Sequence, residues 1–335
     1  MLHGRIVESR LESAVLKDNP LGDPHVRDVL VYLPPGYDEG DARYPTVTML
    51  PGFAATHRSV LGFSPWKPNT VERFDAQIVA GECPPAILVL PDCMTRWGGS
   101  QFVDSAATGA YQTYLAEEVL PHVDATFRTI PKREARAVVG RSSGGFGALR
   151  LGLDRPDVVA VVGSHAGDAA FDVSMRPMLL PAAIAIAAAG GLEAFAERVV
   201  DGGPRGGMEF DGVFVLASSA AYAPEPAAPA PHCALPMDLR TGELLEEPWA
   251  RWRAHDPVTL IPEREEAVAQ LAYVFLDAGN RDEHGLHFAA RQLADALHAA
   301  GAPRVQLEEY DGGHRGTSYR YERSLPLLIG ALEQA

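Results

Sequence analysis

The chain has 335 residues, of which 47% are apolar and 22% are charged, and its formal net charge is −15. This composition is typical of a soluble globular protein that is long enough to bury a large core. The negative charge disfavours a nucleic-acid partner, because phosphates are bound by clustered Lys and Arg. Three irregularly spaced cysteines, Cys83, Cys93 and Cys233, predict neither a disulfide framework nor a zinc site.

The first residues of the chain and its most apolar stretch predict neither a signal peptide nor a membrane span. Residues 1–7 lack the basic start and the apolar core of a signal peptide. The most apolar stretch, residues 178–192, is interrupted by Pro181 and is too short to cross a bilayer. We therefore expect a cytoplasmic protein with no membrane partner. A homo-oligomer is compatible with the sequence.

Short apolar runs alternate with helical patterns along the chain. The runs are continuous and rich in Val, Ile and Leu, which indicates strands buried on both faces of a mostly parallel sheet. They lie at residues 29–33, 46–50, 86–90, 137–139, 158–163, 271–277 and 305–309. Residues 111–126 and 288–300 show helical spacing. This order predicts a doubly wound α/β sheet, with its chemistry at the carboxyl ends of the strands.

The alternation stops between Asp168 and Pro257. This region has an Ala-rich helical stretch, a Gly-rich break and a Pro/Ala-rich run. A structureless loop of this length is improbable within a compact domain, so the region should contain helices of its own. We predict that residues 168–257 form a cap or lid on a core made of residues 1–167 and 258–335. A disordered linker is the alternative.

The pattern G-R-S-S-G-G at residues 140–145 lies between an apolar run and the start of a helical pattern. A serine at such an elbow has a strained backbone and exposes its hydroxyl above the sheet. The flanking glycines avoid clashes with the adjoining strand and helix. The context predicts that Ser142 is a nucleophile. A Gly/Ser-rich loop without catalytic function is the alternative.

A serine nucleophile needs a base, usually His, which is oriented by a carboxylate. In α/β-hydrolases the acid and then the histidine follow the serine, each on a loop after a strand. His314, in a Gly-rich turn after the last predicted strand, is the predicted base. Asp282, after the preceding strand, is the predicted acid. Glu283 replaces it if the loop register differs by one residue, and Asp168 replaces it if the neighbouring strand presents the acid.

Acyl transfer also needs N–H donors for the tetrahedral oxyanion. The predicted donors are the backbone N–H groups of Ser143, which follows the nucleophile, and of Phe53, in the loop after residues 46–50. A tight turn is the alternative for that loop. The candidates for the substrate pocket are Arg96, Trp97, His165, Phe171 and Trp252.

His284 and His287 lie close to Asp282 in the sequence and have helical spacing. Without a third or fourth ligand nearby they do not predict a metal site. The sequence therefore predicts no metal and no cofactor. Cys93 has no elbow around it, which indicates a small buried residue and not a nucleophile.

With these residues in place, the chain resembles the Putative esterase family of α/β-hydrolases. That family includes enterochelin esterases, S-formylglutathione hydrolases, feruloyl esterases and the antigen 85 mycolyltransferases. The similar motifs are VLVYLPPGY at 29–37, GSQFVDS at 99–105, YLAEEVLP at 114–121 and GRSSGGFGAL at 140–149. The resemblance implies the α/β-hydrolase fold, the triad Ser142, Asp282 and His314, and the oxyanion donors Phe53 and Ser143.

The chain departs from the family pattern at two places. Pro51 stands where many members have His, and the aromatic residues that often follow the catalytic His are absent after His314. The sequence predicts a serine carboxylic-ester hydrolase that acts through an acyl-enzyme on short to medium acyl esters of small molecules. A thioester hydrolase of the S-formylglutathione type and an acyltransferase are the alternatives within enzymes. A non-catalytic binding protein on the same fold is a remote alternative.

Overall fold

A computed structural model describes residues 2–333 of the chain. Its strands are β1 (Arg5–Glu12), β2 (Val26–Leu33), β3 (Thr46–Leu50), β4 (Ile87–Pro91), β5 (Asp104–Ser105), β6 (Gly109–Ala110), β7 (Arg136–Arg141), β8 (Val161–His165), β9 (Tyr273–Gly279) and β10 (Val305–Tyr310). Within this part of the chain, eight strands form one sheet in the order β1-β2-β4-β3-β7-β8-β9-β10, and β5 pairs with β6 alone. The strand β2 is antiparallel to both of its neighbours, and the remaining pairs of the large sheet are parallel. The predicted mostly parallel sheet is confirmed.

Helices cover both faces of this sheet. They are α1 (Thr70–Val79), α2 (Tyr111–Thr113), α3 (Leu120–Thr126), α4 (Ser143–Asp154), α5 (Phe171–Ser174), α6 (Leu179–Ala188), α7 (Leu192–Gly202), α8 (Gly207–Tyr222), α9 (Glu246–Arg253), α10 (Pro257–Leu260), α11 (Glu265–Gln270), α12 (Leu286–Ala299) and α13 (Tyr321–Gly330). A π-helical segment, Tyr114–Val119, connects α2 to α3. Helices α1 and α13 pack on one face of the sheet, and α3, α4 and α12 pack on the other.

The central strands match the predicted runs because both of their faces are buried. Every residue of β3, β4, β8 and β9 is buried, and the prediction for residues 46–50 coincides with β3. The edge strand β1 is absent from the sequence prediction. Its residues alternate between exposed and half-buried, and its charged side chains interrupt any apolar run.

Helices α5 to α9 follow β8 in the chain and precede β9. Their aromatic and aliphatic side chains form a cluster of their own, which contains Phe171, Phe195, Trp249 and Trp252 and packs against Phe146 of α4. Residues 168–257 are therefore folded, and the alternative of a disordered linker is wrong.

The run Phe171–Ala188 has the length and the mean hydropathy, 1.4, of a membrane-spanning helix. The structure divides it into α5, a short 3₁₀ turn and α6. Of its 18 residues, 44% are buried inside the protein. Core helices of globular proteins meet the same criterion, so this run is weak evidence for a membrane span.

The turn from β7 into α4 leaves no room for side chains at two of its glycines. A Cβ atom on Gly140 would lie 2.2 Å from the carbonyl oxygen of Gly144. A Cβ atom on Gly144 would lie 2.1 Å from the carbonyl oxygen of Leu50 in β3. Both obstacles are backbone atoms, which cannot rotate away. Glycine at these positions therefore allows α4 to begin directly against β3 and β7.

We predict that Gly144→Ala lowers the free energy of unfolding by about 3 kcal/mol or more, at or above the upper end of ordinary overpacking costs, because its methyl group meets fixed backbone. Urea unfolding measures the change. The matched control is Gly207→Ala at the start of α8, where a methyl group meets no atom within 4 Å. Equal stability of the two variants would contradict the close approach of α4 to β3.

Candidate active site at the carboxyl edge of the sheet

Ser142 lies between the last residue of β7 and the first residue of α4. Its backbone angles are φ 56° and ψ −124°, a combination that is strained for a residue with a side chain. The N–H of Ser142 donates to the carbonyl of His165 over 2.9 Å, and its own carbonyl accepts from the N–H of Phe146 over 3.0 Å. These two bonds join the serine to β8 and to α4 and hold it in the strained conformation.

The structure brings Ser142, His314 and Asp282 into one hydrogen-bonded chain. The Nε2 atom of His314 is 3.1 Å from Oγ of Ser142. The Nδ1 atom of His314 is 2.8 Å from Oδ2 of Asp282. With a neutral imidazole protonated at Nδ1, Nδ1–H donates to the carboxylate and Nε2 accepts the serine proton. This is the geometry of a serine nucleophile with its base and orienting acid.

The environment of Asp282 favours its charged form. Burial by itself would raise the pKa of this carboxyl, but the hydrogen bond and the charge of His314 lower it. The backbone N–H groups of His284 and Leu286 also donate to Asp282, over 2.9 and 3.4 Å, and lower the pKa further. The net pKa is below the ordinary value, so the carboxylate stays ionised beside His314.

Glu283, the alternative acid, contacts the backbone of His314 instead of its ring. Its Oε2 atom accepts from the N–H of His314 over 2.9 Å, and this bond holds the pKa of Glu283 below its ordinary value. On the other side, the Nη2 group of Arg141 donates to the carbonyl of His314. The two charged side chains therefore fix both peptide groups that flank the imidazole.

Asp168, the other alternative acid, contacts Ser143 and not His314. Its Oδ2 atom accepts from the hydroxyl of Ser143 over 3.1 Å. The residue is 5% exposed, and burial raises the pKa of its carboxyl to about 6 against the opposing effects of His314 and Ser143. Among the three candidate carboxylates, the structure thus places only Asp282 on the imidazole ring.

The backbone N–H groups of Ser143 and Phe53, the two predicted oxyanion donors, have no hydrogen-bond partner in residues 2–333. Ser143 is the first residue of α4, so its N–H has no partner within the helix. No backbone or side-chain acceptor in residues 2–333 receives the N–H of Phe53, although the next two N–H groups of its loop are bonded to Gly98 and Gly52. Both predicted donors are therefore available to a ligand.

A cavity of about 340 Å³ opens above Ser142. Its lining combines the catalytic candidates with apolar side chains from the inserted helices. The residues that line it are Gly52, Phe53, Ala55, Arg141, Ser142, Asp168, Ser174, Met175, Met178, Phe210, Phe214, His284, Leu286, His314 and Arg315. The Phe53 ring packs edge-on against Phe210 and Phe214, with centroids 5.7 and 5.1 Å apart.

The pocket candidates Phe171 and Trp252 are wrong, because both side chains are fully buried in the core of the inserted helices. Each packs against Tyr222, at centroid distances of 5.7 and 5.4 Å. Large aromatic residues give the most favourable burial in such a core.

The pocket candidates Arg96, Trp97 and His165 are also wrong. Arg96 forms an ion pair with Asp23 away from the cavity, and Trp97 is buried in a cluster with α8. The ring of His165 lies on the α13 side of the sheet, where Nε2 is 2.8 Å from Oγ of Ser324 in α13 and Nδ1 is 2.8 Å from Oδ1 of Asp277. Only its backbone carbonyl reaches the site, where it holds Ser142.

Several lining residues were missed by the sequence reasoning. Phe210 and Phe214 lie four residues apart on α8, and this spacing puts them on one helix face. This spacing was the sequence signal from which a shared contact surface could have been predicted. His284 packs the edge of its ring against His314 at a centroid distance of 4.9 Å. Burial and the charge of His314 lower the pKa of His284.

The structure also locates the residues considered for other chemistry. In residues 2–333, no group of three or more His, Cys, Asp and Glu side chains is placed to hold a metal ion. Cys93 is buried and free, and burial raises the pKa of its thiol far above the ordinary value. A thiol of this kind is a poor nucleophile.

Comparison with known proteins identifies the family. A profile of the family described as Putative esterase matches residues 24–325. The chain belongs to this family. This membership supports ester hydrolysis as its reaction.

The curated relative Esterase Rv1288 of Mycobacterium tuberculosis is 34% identical over 86 residues, which are 25% of this chain and 19% of that protein. A solved ferulic acid esterase has a TM-score of 0.64 at 19% identity, with 99% of this chain and 100% of that chain covered. The S-formylglutathione hydrolase of Agrobacterium tumefaciens has a TM-score of 0.58 at 17% identity, with 99% and 97% covered. The predicted α/β-hydrolase fold is confirmed.

We predict that Asp168→Asn increases stability at pH 8 but not at pH 4. The folded-state pKa of about 6 lies above the ordinary value of 3.8. The folded protein therefore binds the proton more tightly, and the stability that this supplies is lost as the pH rises from about 4 through about 6. Removing the charge should recover up to about 3 kcal/mol above pH 6.

Urea unfolding of both proteins at pH 4 and pH 8 measures this difference. Asp201→Asn is the matched control, since Asp201 is exposed on α7. A variant that is equally destabilised at both pH values would show that the Asp168 carboxylate is well compensated by its surroundings.

Proposed function

We propose that the protein is a serine carboxylic-ester hydrolase that forms an acyl-enzyme on Ser142 and acts on short to medium acyl esters. The observation that carries this proposal is the hydrogen-bonded chain from Ser142 through His314 to Asp282. Its hydroxyl end opens into a cavity of about 340 Å³. Family membership is consistent with the same chemistry.

Acylation begins when Oγ of Ser142 attacks the ester carbonyl carbon. Nε2 of His314 takes the serine proton, and the new imidazolium is stabilised by the ionised Asp282. The carbonyl oxygen becomes an oxyanion, which accepts from the backbone N–H groups of Phe53 and Ser143. The intermediate then collapses, and His314 gives its proton to the departing alcohol, which leaves the acyl group on Ser142.

Deacylation repeats these steps with water. His314 removes a proton from the attacking water, and the second tetrahedral intermediate uses the same two N–H donors. The collapse of this intermediate returns the proton to Ser142 and releases the carboxylic acid. A thiol leaving group or an alcohol acceptor would use the same residues, so substrate comparison separates ester hydrolysis from thioester hydrolysis and acyl transfer.

The role proposed for residues 168–257 is that of a lid that limits acyl length. Met175 and Met178 lie just before α6, Phe210 and Phe214 belong to α8, and all four line the cavity. A chain longer than the cavity would have to displace these side chains, and overpacking of this kind costs about 1–3 kcal/mol.

We predict that a fluorophosphonate modifies Ser142 and that Asp282→Asn lowers kcat by about 10³- to 10⁴-fold, because the imidazole then adopts the wrong tautomer. Mass spectrometry of peptides locates the adduct, and a p-nitrophenyl ester assay gives kcat. Ser142→Ala should remove both the labelling and the activity.

The matched control for Asp282→Asn is Glu283→Gln in the adjacent position. Its amide oxygen still accepts from the N–H of His314, so we expect a far smaller loss of kcat. Near-normal kcat in Asp282→Asn together with an inactive Asp168→Asn would assign the acid to the loop after β8 instead.

We predict that Met178→Ala and Phe210→Ala shift the preferred p-nitrophenyl ester towards longer acyl chains. Both side chains line the cavity and are only partly buried, so truncation enlarges the space without emptying the core. The ratio of kcat/KM for octanoate to that for butyrate should rise about tenfold.

Trp252→Ala is the control for these two variants, since Trp252 is buried in the same helical region outside the cavity. We expect it to lower stability by about 3–5 kcal/mol and to leave the chain-length profile unchanged. An equal shift in all three variants would mean that the profile reports loosening of the inserted helices and not the lining of the cavity.

A further inference from the structure

The Asp168 carboxyl is a charged group in the lining of the cavity that the proposed reaction does not use. It lines the same cavity as Ser142, yet its Oδ2 atom contacts Ser143 and neither oxygen is bonded to His314. Burial makes its charged form costly, as the raised pKa shows. Groups retained at such a cost in a cleft are typical of functional sites.

One of its two oxygens is free to bind a ligand. Oδ2 accepts from the Ser143 hydroxyl, whereas no protein group in residues 2–333 donates to Oδ1. That atom is also absent from the fully enclosed polar atoms that lack a partner, so it keeps contact with the cavity. When the carboxyl group is ionised, its oxygens accept hydrogen bonds and cannot donate them. The complementary ligand group is therefore a donor.

The surroundings of Oδ1 increase its selectivity for a ligand that carries a hydrogen-bond donor. The lining of the cavity includes the apolar side chains of Met175, Met178 and Phe214. Ser174 also lines the cavity, but its hydroxyl donates to the carbonyl of Ala169 over 2.7 Å. A purely hydrocarbon substrate would cover Oδ1 and offer no donor in place of the hydrogen bonds from solvent. Binding would then be weakened, because a buried acceptor without a partner is unfavourable.

We propose that Asp168 is a specificity-determining residue that accepts a hydrogen bond from a donor on the substrate, so that the enzyme prefers esters with a hydroxyl group over their hydrocarbon analogues. This inference rests on the proposed function. It names a substrate class, hydroxylated esters, and leaves the acyl and the alcohol part to be distinguished by experiment. Asp168 takes no part in the proton transfers, which belong to His314.

The test compares pairs of esters that differ by a hydroxyl group in place of a methyl group. The acyl pair is p-nitrophenyl 3-hydroxybutanoate and p-nitrophenyl 3-methylbutanoate. The alcohol pair is 2-hydroxypropyl butanoate and 2-methylpropyl butanoate. The readout is the hydroxyl-to-methyl ratio of kcat/KM within each pair, because a general change in rate cancels in this ratio. Each ratio is corrected for the alkaline hydrolysis rates of the same two esters.

In the wild-type protein we expect a ratio of about ten or more in one of the two pairs, which is the size expected for a hydrogen bond to a charged group. The pair that shows it identifies the part of the substrate that Asp168 contacts. Asp168→Leu should bring the ratio close to one. Asp168→Asn should give an intermediate ratio, since a neutral amide oxygen is a weaker acceptor than a carboxylate.

Asp201→Asn, the exposed control, should keep the wild-type ratio. Urea unfolding at pH 8 shows whether each Asp168 variant is folded, and Asp168→Asn keeps the test valid if Asp168→Leu does not fold. A ratio near one in both pairs for the wild type, or an unchanged ratio in Asp168→Asn and Asp168→Leu, would overturn the inference. Failure of Ser142-dependent hydrolysis with all four esters would instead contradict the proposed function itself.

Discussion

The strained backbone at Ser142 is the constraint on which the rest of the site depends. A strained conformation with a positive φ at a residue with a side chain persists only where its surroundings enforce it. Here β7 ends and α4 begins without an intervening loop, and the glycines at 140 and 144 let the turn press against β3. The same turn leaves the N–H of Ser143 unbonded and projects the serine hydroxyl into the cavity. The proposed nucleophile and one of the two proposed oxyanion donors thus come from one backbone feature.

Three carboxylates and one arginine surround the strained turn at Ser142, and their contacts give them different roles. Asp282 orients the imidazole of His314, while Glu283 and Arg141 hold the peptide groups on either side of it. Asp168 contacts the residue after the nucleophile. The charged groups that fix the histidine are bonded and compensated, whereas Asp168 is incompletely compensated and faces the cavity. Asp282, Glu283 and Arg141 therefore maintain the geometry of His314, whereas Asp168 is available to a ligand.

The inserted helices have a core of their own and also form part of the cavity wall. Their largest aromatic residues are buried among themselves and against α4, which gives the insertion a core. The smaller or more flexible apolar side chains, such as Met175 and Met178, face the cavity instead. Methionine adapts to irregular contacts because its side chain is unbranched and polarisable. A wall of this kind can accommodate related ligands, whereas a fixed carboxylate such as Asp168 selects among them.

Sequence alone determined the strand and helix alternation, the elbow at Ser142 and the order of the acid and histidine loops. These features follow from local periodicity, from turn chemistry and from the rule that parallel strands end at one edge. It predicted Asp282 as the acid but left Glu283 and Asp168 open as alternatives, and it did not separate the buried Trp252 from the cavity-lining Phe214. The His314 imidazole contacts Asp282, which is 32 positions away in the sequence, and Ser142, which is 172 positions away. Aromatic residues have the same sequence pattern in a core and at a pocket wall. Only the packing of the inserted helices on the sheet decided which side chains face Ser142.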